Sequence, residues 1–205
     1  MDVELTIELG AGDPTLAIPW SSSDGRLRYL DLKRQPELLL YVDEASRCHE
    51  IAEFLVKINS PASLLESAKC DAWYTTELSE PELIYGAAGK FVSYCDVFFS
   101  ADQARFSFDQ HQHFAQRLLK LLARAPQISA AAEFILRRGY YQQPDAPARD
   151  GFYFTFYLSG YGDDEADARQ RWGIALKLIG NAILQLSAAR PVTEAGLPGY
   201  GPRDV

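Results

Sequence analysis

The sequence predicts an α+β fold made of three consecutive ββα units, with about six mostly antiparallel strands and the helices packed on one face of the sheet. Three observations support this prediction. Three stretches have helical periodicity, each of them ends at or next to a proline, and each is preceded by two runs typical of β-strands. Strand pairs that alternate with helices are typical of α+β domains.

The first unit covers about residues 1–62. Residues 3–9 alternate strictly between apolar and polar side chains, which predicts a half-buried strand. Residues 27–32 (LRYLDL) are its predicted partner strand. Apolar residues recur at helical spacing over 51–58, and Asp43 is the predicted N-cap of this helix. This unit is therefore expected to contain two strands followed by one helix.

The second unit covers about residues 63–126. Its predicted strands are 69–76 (KCDAWYTT) and 90–99 (KFVSYCDVFF). A helix follows, beginning at Ser107, which forms a capping-box pattern with the glutamine three residues later. The helix carries basic residues in its last turns and stops before Pro126, as helices commonly do.

The third unit covers about residues 127–190. Its predicted strands are 133–141 (EFILRRGYY) and 151–159 (GFYFTFYLS). An acidic cluster at 163–167 precedes the long final helix, and negative charge stabilises the positive end of a helix dipole. The helix ends before Pro191.

Length and charge restrict the class of protein. The chain has 205 residues, of which 47% are hydrophobic, and a net charge of −8, which is the composition of an acidic globular protein. We expect residues 1–190 to form a single domain and the Gly/Pro-rich residues 191–205 to form a mobile tail. Because negative charge repels phosphate backbones, we expect no nucleic-acid partner.

The N-terminus and the cysteines indicate the compartment. The chain begins with an acidic segment rather than the basic start of a signal peptide, and no apolar run reaches the roughly 20 residues that span a membrane. Three cysteines cannot all pair, and none belongs to a CxxC motif. We therefore expect a cytoplasmic protein that does not associate with membranes.

Motifs for cofactors and metals are missing. The sequence has no phosphate-binding loop, no dinucleotide-binding glycine pattern, no GxSxG and no HExxH. The sequence has three histidines, His49, His111 and His113; the last two are two residues apart near a helix start, so they point to different sides of the helix and cannot by themselves form a metal site. We predict that the protein has no cofactor and no metal site.

Alternation along the predicted strands gives the sheet two different faces. One face is purely apolar and suits packed helices. The other combines aromatic, hydroxyl and carboxylate side chains. Its notable members are Asp71, Trp73, Tyr94, Asp96, Tyr153 and Tyr157.

This second face has three interpretations. Its aromatic residues Trp73, Tyr94, Tyr153 and Tyr157 are of the types enriched in protein interfaces, so the face is a contact surface for a protein partner or for a second copy in a homodimer. Alternatively, it lines a small-ligand pocket. In the third interpretation, loops and the tail of the chain cover it.

The leading functional prediction is a cytoplasmic, non-catalytic binding protein that uses this face. Its acidity favours a basic protein partner. The alternative is a small hydrolase or isomerase in which Asp71 and Asp96 act as a general acid/base pair inside the aromatic pocket. The two predictions differ because catalysis requires both carboxylates within hydrogen-bonding reach of one site.

Overall fold

The structure is a computed structural model that describes residues 1–143 and 146–189, so the predicted tail at 191–205 lies outside the described residues. The strands are β1 Asp2–Glu8, β2 Thr15–Ile18, β3 Leu65–Thr75, β4 Gly89–Phe99, β5 Ala130–Gln143 and β6 Ala146–Gly162. The helices are α1 Asp43–Arg47, α2 His49–Ile58, α3 Asp102–Arg105, α4 Phe108–Leu122 and α5 Glu165–Ala188, with 3₁₀ turns at Pro36–Tyr41 and Glu80–Tyr85.

The six strands form one mixed sheet in the order β1-β5-β6-β4-β3, with β2 also paired to β5. The pairs β3–β4, β4–β6 and β5–β6 are antiparallel, whereas β1 and β2 both run parallel to β5. The predicted α+β class with about six strands is confirmed.

The first unit differs from its prediction. Residues 27–32 form no strand, and β1 pairs with β5 instead of a nearby strand. Because Glu8 lies opposite Arg137 and Thr15 lies opposite Arg138, β1 and β2 follow one another along the same edge of β5 as an interrupted strand. The predicted ββα repeat is therefore not confirmed as a threefold pattern.

The later helices begin close to their predicted residues. Ser107 caps α4 by accepting a hydrogen bond from the Gln110 amide at 3.3 Å, and Asp164 caps α5 by accepting one from the Asp167 amide at 2.9 Å. Asp43 makes no such side-chain cap and instead opens the short helix α1. None of the described helices is long and apolar enough to cross a membrane.

The main core lies between the sheet and helices α2, α4 and α5. Trp172 on α5 is 0% exposed, and its indole N–H donates to the Ser93 hydroxyl at 2.9 Å. Helix α5 lies directly on β6, since a Cβ on Gly160 would be 2.3 Å from the backbone nitrogen of Trp172. The apolar strand residues that face these helices include Phe91, Cys95, Val97, Phe99, Phe154, Phe156 and Leu158.

A smaller second core lies on the opposite face of the sheet, at one end. It is built around six buried residues, Leu16, Ile18, Ala68, Phe98, Tyr141 and Tyr153. Trp20, Tyr29 and Phe106 pack against them, and the Trp20 indole N–H donates to the Ala68 carbonyl at 2.6 Å. The N-terminal segment therefore covers this end of the face that carries no principal helix.

Candidate functional site

Three aromatic side chains are partly exposed on the sheet face opposite the main helices. Trp73 is 41% exposed, and Tyr94 and Tyr157 are half-buried. The Tyr94 and Tyr157 rings are 6.1 Å apart, because these residues are directly opposite one another on β4 and β6. We call Trp73, Tyr94 and Tyr157 the aromatic strip.

The two ends of this face are covered by the chain itself. The second core covers one end. At the other, Tyr85 from the Glu80–Tyr85 turn stacks on Tyr161 with ring centroids 3.9 Å apart, and Glu82 binds Lys90 at 2.7 Å. The aromatic strip lies between these two covers.

Tyr153, the fourth predicted aromatic residue, is not part of the accessible surface. It faces the same side of the sheet as Tyr157, as the strand alternation predicts, but it is only 3% exposed. Leu16 and Ile18 from β2 cover it in the second core. In this structure Tyr153 cannot contact a partner, so the predicted surface is reduced to the three residues of the aromatic strip.

Beside the strip, on the same face of the sheet, a chain of polar side chains crosses five strands. Asp96, 3% exposed, accepts a hydrogen bond from the Thr155 hydroxyl at 2.6 Å, and the Lys69 ammonium is 3.7 Å away. Arg137 donates to Thr155 and to Glu8, both at 2.9 Å. Burial raises the pKa of Asp96, while the Thr155 hydrogen bond and the charges of Lys69 and Arg137 oppose that rise.

The two predicted acid/base residues share this face but bind different partners. Asp71 lies opposite Tyr94, and Asp96 lies opposite Lys69, so the carboxylates are diagonal neighbours on adjacent strands. Asp71 is 3.5 Å from the Arg47 guanidinium, whereas Asp96 is bound within the polar chain. None of the hydrogen bonds among the described residues joins the two carboxylates to each other.

Sequence reasoning identified Asp96 but missed most of the polar chain around it. Lys69, Thr155 and Glu8 were not predicted as its members. Charged residues inside apolar runs were the sequence feature that could have indicated a buried polar chain. Arg137 follows Phe134, Ile135 and Leu136 on β5, and Asp96 lies between Cys95 and Val97. The pairing of these charges depends on strand order, which local sequence patterns do not determine.

Three carboxylates border the strip on the β1 side. Glu4 lies opposite Glu133 on β5, which in turn lies opposite Tyr157. Glu133 accepts a hydrogen bond from Thr6 at 2.9 Å, and Asp2 accepts one from the Tyr85 hydroxyl. Among the described residues, no lysine or arginine forms an ion pair with Asp2, Glu4 or Glu133. We call these three residues the acidic margin.

A cavity of about 450 Å³ continues the site around the edge of β3. Tyr94 and Asp71 line it from the sheet, and Trp20 and Tyr41 line it from the N-terminal segment. The Lys69 ammonium lies 5.6 Å from the Tyr94 ring and 5.8 Å from the Trp20 ring, in the range of cation–π attraction. Lys69 therefore lines the cavity and also belongs to the polar chain through its contact with Asp96.

No protein-family model, curated protein or solved structure matches the chain. Within the part of the chain that the structure describes, no three histidine, cysteine or acidic side chains are grouped as metal ligands, and Cys48, Cys70 and Cys95 are free thiols.

The polar chain gives a stability prediction. Thr155→Val retains the shape of this 1%-exposed side chain but removes the hydrogen bonds to Asp96 and from Arg137. We expect unfolding free energy to fall by about 2 kcal/mol, because two buried charged groups lose a partner. Urea denaturation measures the change. Thr6→Val, at a partly exposed residue with one hydrogen bond, is the matched control and should cost less than about 0.5 kcal/mol; equal losses would contradict the prediction.

Proposed function

We propose that the protein is a non-catalytic binding protein that docks a basic protein on the aromatic strip. The observation that supports this proposal is the juxtaposition of three accessible aromatic side chains with an acidic margin that forms no ion pair with the described lysines and arginines. Tyrosine and tryptophan bury a large area while keeping a polar group for a partner.

Charge favours a basic partner over other occupants. The chain has a net charge of −8; Glu133 lies directly opposite Tyr157, and Glu4 lies opposite Glu133 on the next strand. Arginine and lysine side chains on a partner would pair with these carboxylates and stack on the aromatic rings. A second copy of this chain fits less well, because it carries the same net charge of −8 and is repelled by the first.

The arrangement of carboxylates supports binding rather than catalysis. A general acid/base pair needs both groups within reach of one substrate. Asp96 is buried next to the strip and bound by Thr155, while Asp71 lies on the edge strand β3 next to Arg47. Asp96→Asn is therefore expected to leave partner affinity nearly unchanged.

Photo-cross-linking in the source cells tests the proposal. A benzoylphenylalanine at Trp73 is expected to cross-link a basic protein, identified by mass spectrometry. The matched control is the same probe at Ile174, which is similarly exposed, at 45%, but lies on α5 on the opposite side of the molecule. Cross-linking only to a second copy, equal capture at both sites, or no capture at Trp73 would contradict the proposal.

The affinity of the captured partner should depend on Tyr157. Tyr157→Ala is expected to weaken binding by about 30-fold, the effect of losing a hot-spot residue worth 2 kcal/mol. Calorimetry with the purified partner measures it. Tyr140→Ala removes another partly exposed tyrosine, from the helix-facing side of β5, and should leave affinity unchanged. A Tyr157 variant that binds normally would overturn the assignment of the strip.

A further inference from the structure

We propose that the basic partner also adds a β-strand to the free edge of β1, so that binding involves main-chain hydrogen bonds beside the aromatic strip. This inference rests on the proposed function and extends it from the face of the sheet to its edge. The two edge strands of the sheet, β3 and β1, differ in whether their outward backbone groups are hydrogen-bonded within the described residues.

Side chains from the N-terminal segment occupy backbone carbonyls at and just before the start of β3, the opposite edge strand of the sheet. The Trp20 indole N–H donates to the Ala68 carbonyl at 2.6 Å. The Lys33 ammonium donates to the carbonyls of Ser63 and Leu65 at 2.7 and 2.9 Å. Hydrogen bonds of this kind occupy groups that would otherwise pair with another strand.

The β1 edge carries no such protection in the described part of the chain. β1 pairs with β5 on one side, and none of its outward backbone N–H and C=O groups has a hydrogen-bond partner among the described residues. The strand has seven residues, a length of roughly 23 Å at 3.3 Å per residue. It is therefore long enough to accept an added strand.

Side-chain charge selects the occupant of this edge. Asp2, Glu4 and Glu8 alternate on the strip side of β1, and Glu8 is already paired with Arg137. Two copies of β1 paired antiparallel about a twofold axis would place these residues against one another or against Thr6. Like charges directly opposite one another destabilise a strand pair, whereas opposite charges stabilise it. A strand with alternating basic residues is therefore the complementary occupant.

The other side of β1 specifies the remaining positions of that strand. Ile7 is 42% exposed, although Val3 and Leu5 pack against the main core. An added strand with apolar residues between its basic ones would cover Ile7. Its basic residues would continue the row that runs from Glu4 through Glu133 to Tyr157.

A designed peptide tests the edge directly. The probe is a capped heptapeptide that alternates lysine and valine, and the measurement is hydrogen exchange of the β1 backbone amides by NMR. In the free protein, the outward amides of residues 2–8 should exchange fast and the inward ones slowly. With peptide at ten times its Kd, exchange of the outward amides should slow by about 11-fold.

Two control peptides separate strand pairing from charge attraction. The same peptide with every internal amide N-methylated retains its charge but cannot form a strand ladder, and it should give no protection. A glutamate–valine peptide should not bind. Equal protection by the methylated peptide, or no protection by the lysine–valine peptide, would overturn the inference. Outward amides already protected in the dilute free protein, or protected with rising protein concentration, would also overturn it, because the chain itself or a second copy would then occupy the edge.

Matched variants test the role of charge. Glu4→Gln should weaken lysine–valine peptide binding by about two- to fivefold, the range of one cross-strand charge pair. Glu53→Gln makes the same change at an exposed position on α2 and should have no effect. The hydrogen-exchange experiment and the cross-linking at Trp73 can fail separately. If Trp73 cross-links a basic protein but the β1 amides are not protected by the peptide, strand addition is overturned and the proposed function is not.

Discussion

The free energy of unfolding is expected to fall by about 3 kcal/mol as the pH decreases from 6.5 to 4, because of one buried histidine. His111 on α4 is 0% exposed and lies among Phe99, Phe152 and Phe154, with ring centroids 4.7 to 5.6 Å away. Its Nδ1–H donates to the Ser107 carbonyl at 2.8 Å, and Nε2 has no partner among the described residues.

Burial lowers the pKa of His111 from 6.5 to about 4, since a charged imidazole is poorly solvated among phenyl rings. Between these values the unfolded chain binds a proton that the folded chain does not. Stability is therefore full above pH 6.5 and is lost as the pH falls through this window. Glu50 and Glu82 act at lower pH, because ion pairs and hydrogen bonds outweigh burial and hold the pKa of each near 2.

Urea denaturation at a series of pH values measures this effect. His111→Leu should remove most of the slope between pH 6.5 and 4, because leucine fills the apolar site without titrating. His113→Leu changes an exposed histidine two residues along the same helix and should leave the slope in place. If the slope is lost in the His113 variant, or persists in the His111 variant, a group other than His111 takes up the proton on unfolding, and the prediction is wrong.

Trp172→Ala is expected to lower unfolding free energy by about 4 kcal/mol, among the largest effects of a single core truncation. The indole is fully buried, packs against Phe91 with ring centroids 4.7 Å apart, and donates a hydrogen bond to Ser93. Its removal leaves a cavity between α5 and the sheet and an unpaired buried hydroxyl.

Trp73→Ala provides the matched control, since it truncates the same side chain at a partly exposed position. It should cost less than about 1 kcal/mol of stability. If Trp172→Ala does not fold, Trp172→Phe retains most of the packing and should lose about 1–2 kcal/mol. A Trp172→Phe protein as stable as the wild type, or equal losses for Trp73→Ala and Trp172→Ala, would contradict the role of this residue as the centre of the core.

The two faces of the sheet could be predicted because they depend on local alternation. Phe154 and Phe156 face the helices while Tyr157 faces away, as the period of two along β6 requires. The starts of α4 and α5 could also be predicted from local sequence, because Ser107 and Asp164 each cap a backbone N–H only three residues further along. These features needed no knowledge of strand order.

The remaining features depend on contacts between distant segments. β2 has only four residues before Pro19, too few to show an alternating pattern, whereas residues 27–32, which are mostly apolar, form no strand. β1 pairs with β5, more than 120 residues further along the chain, so the sequence around β1 contains nothing that identifies its partner strand. For the same reason the burial of Tyr153 was missed, because the residues that cover it, Leu16 and Ile18, are more than 130 positions away in the sequence.

The parallel pairing of β1 with β5 also matters while the protein is being made. β1 leaves the ribosome more than 120 residues before β5, so at 5–20 residues per second it waits roughly 6–25 s for the strand with which it pairs. During that time both edges of the segment are available to other nascent chains. The alternating carboxylates of Asp2, Glu4 and Glu8 disfavour pairing between identical segments of neighbouring chains on one polysome. The segment therefore stays unpaired until β5 has been synthesised.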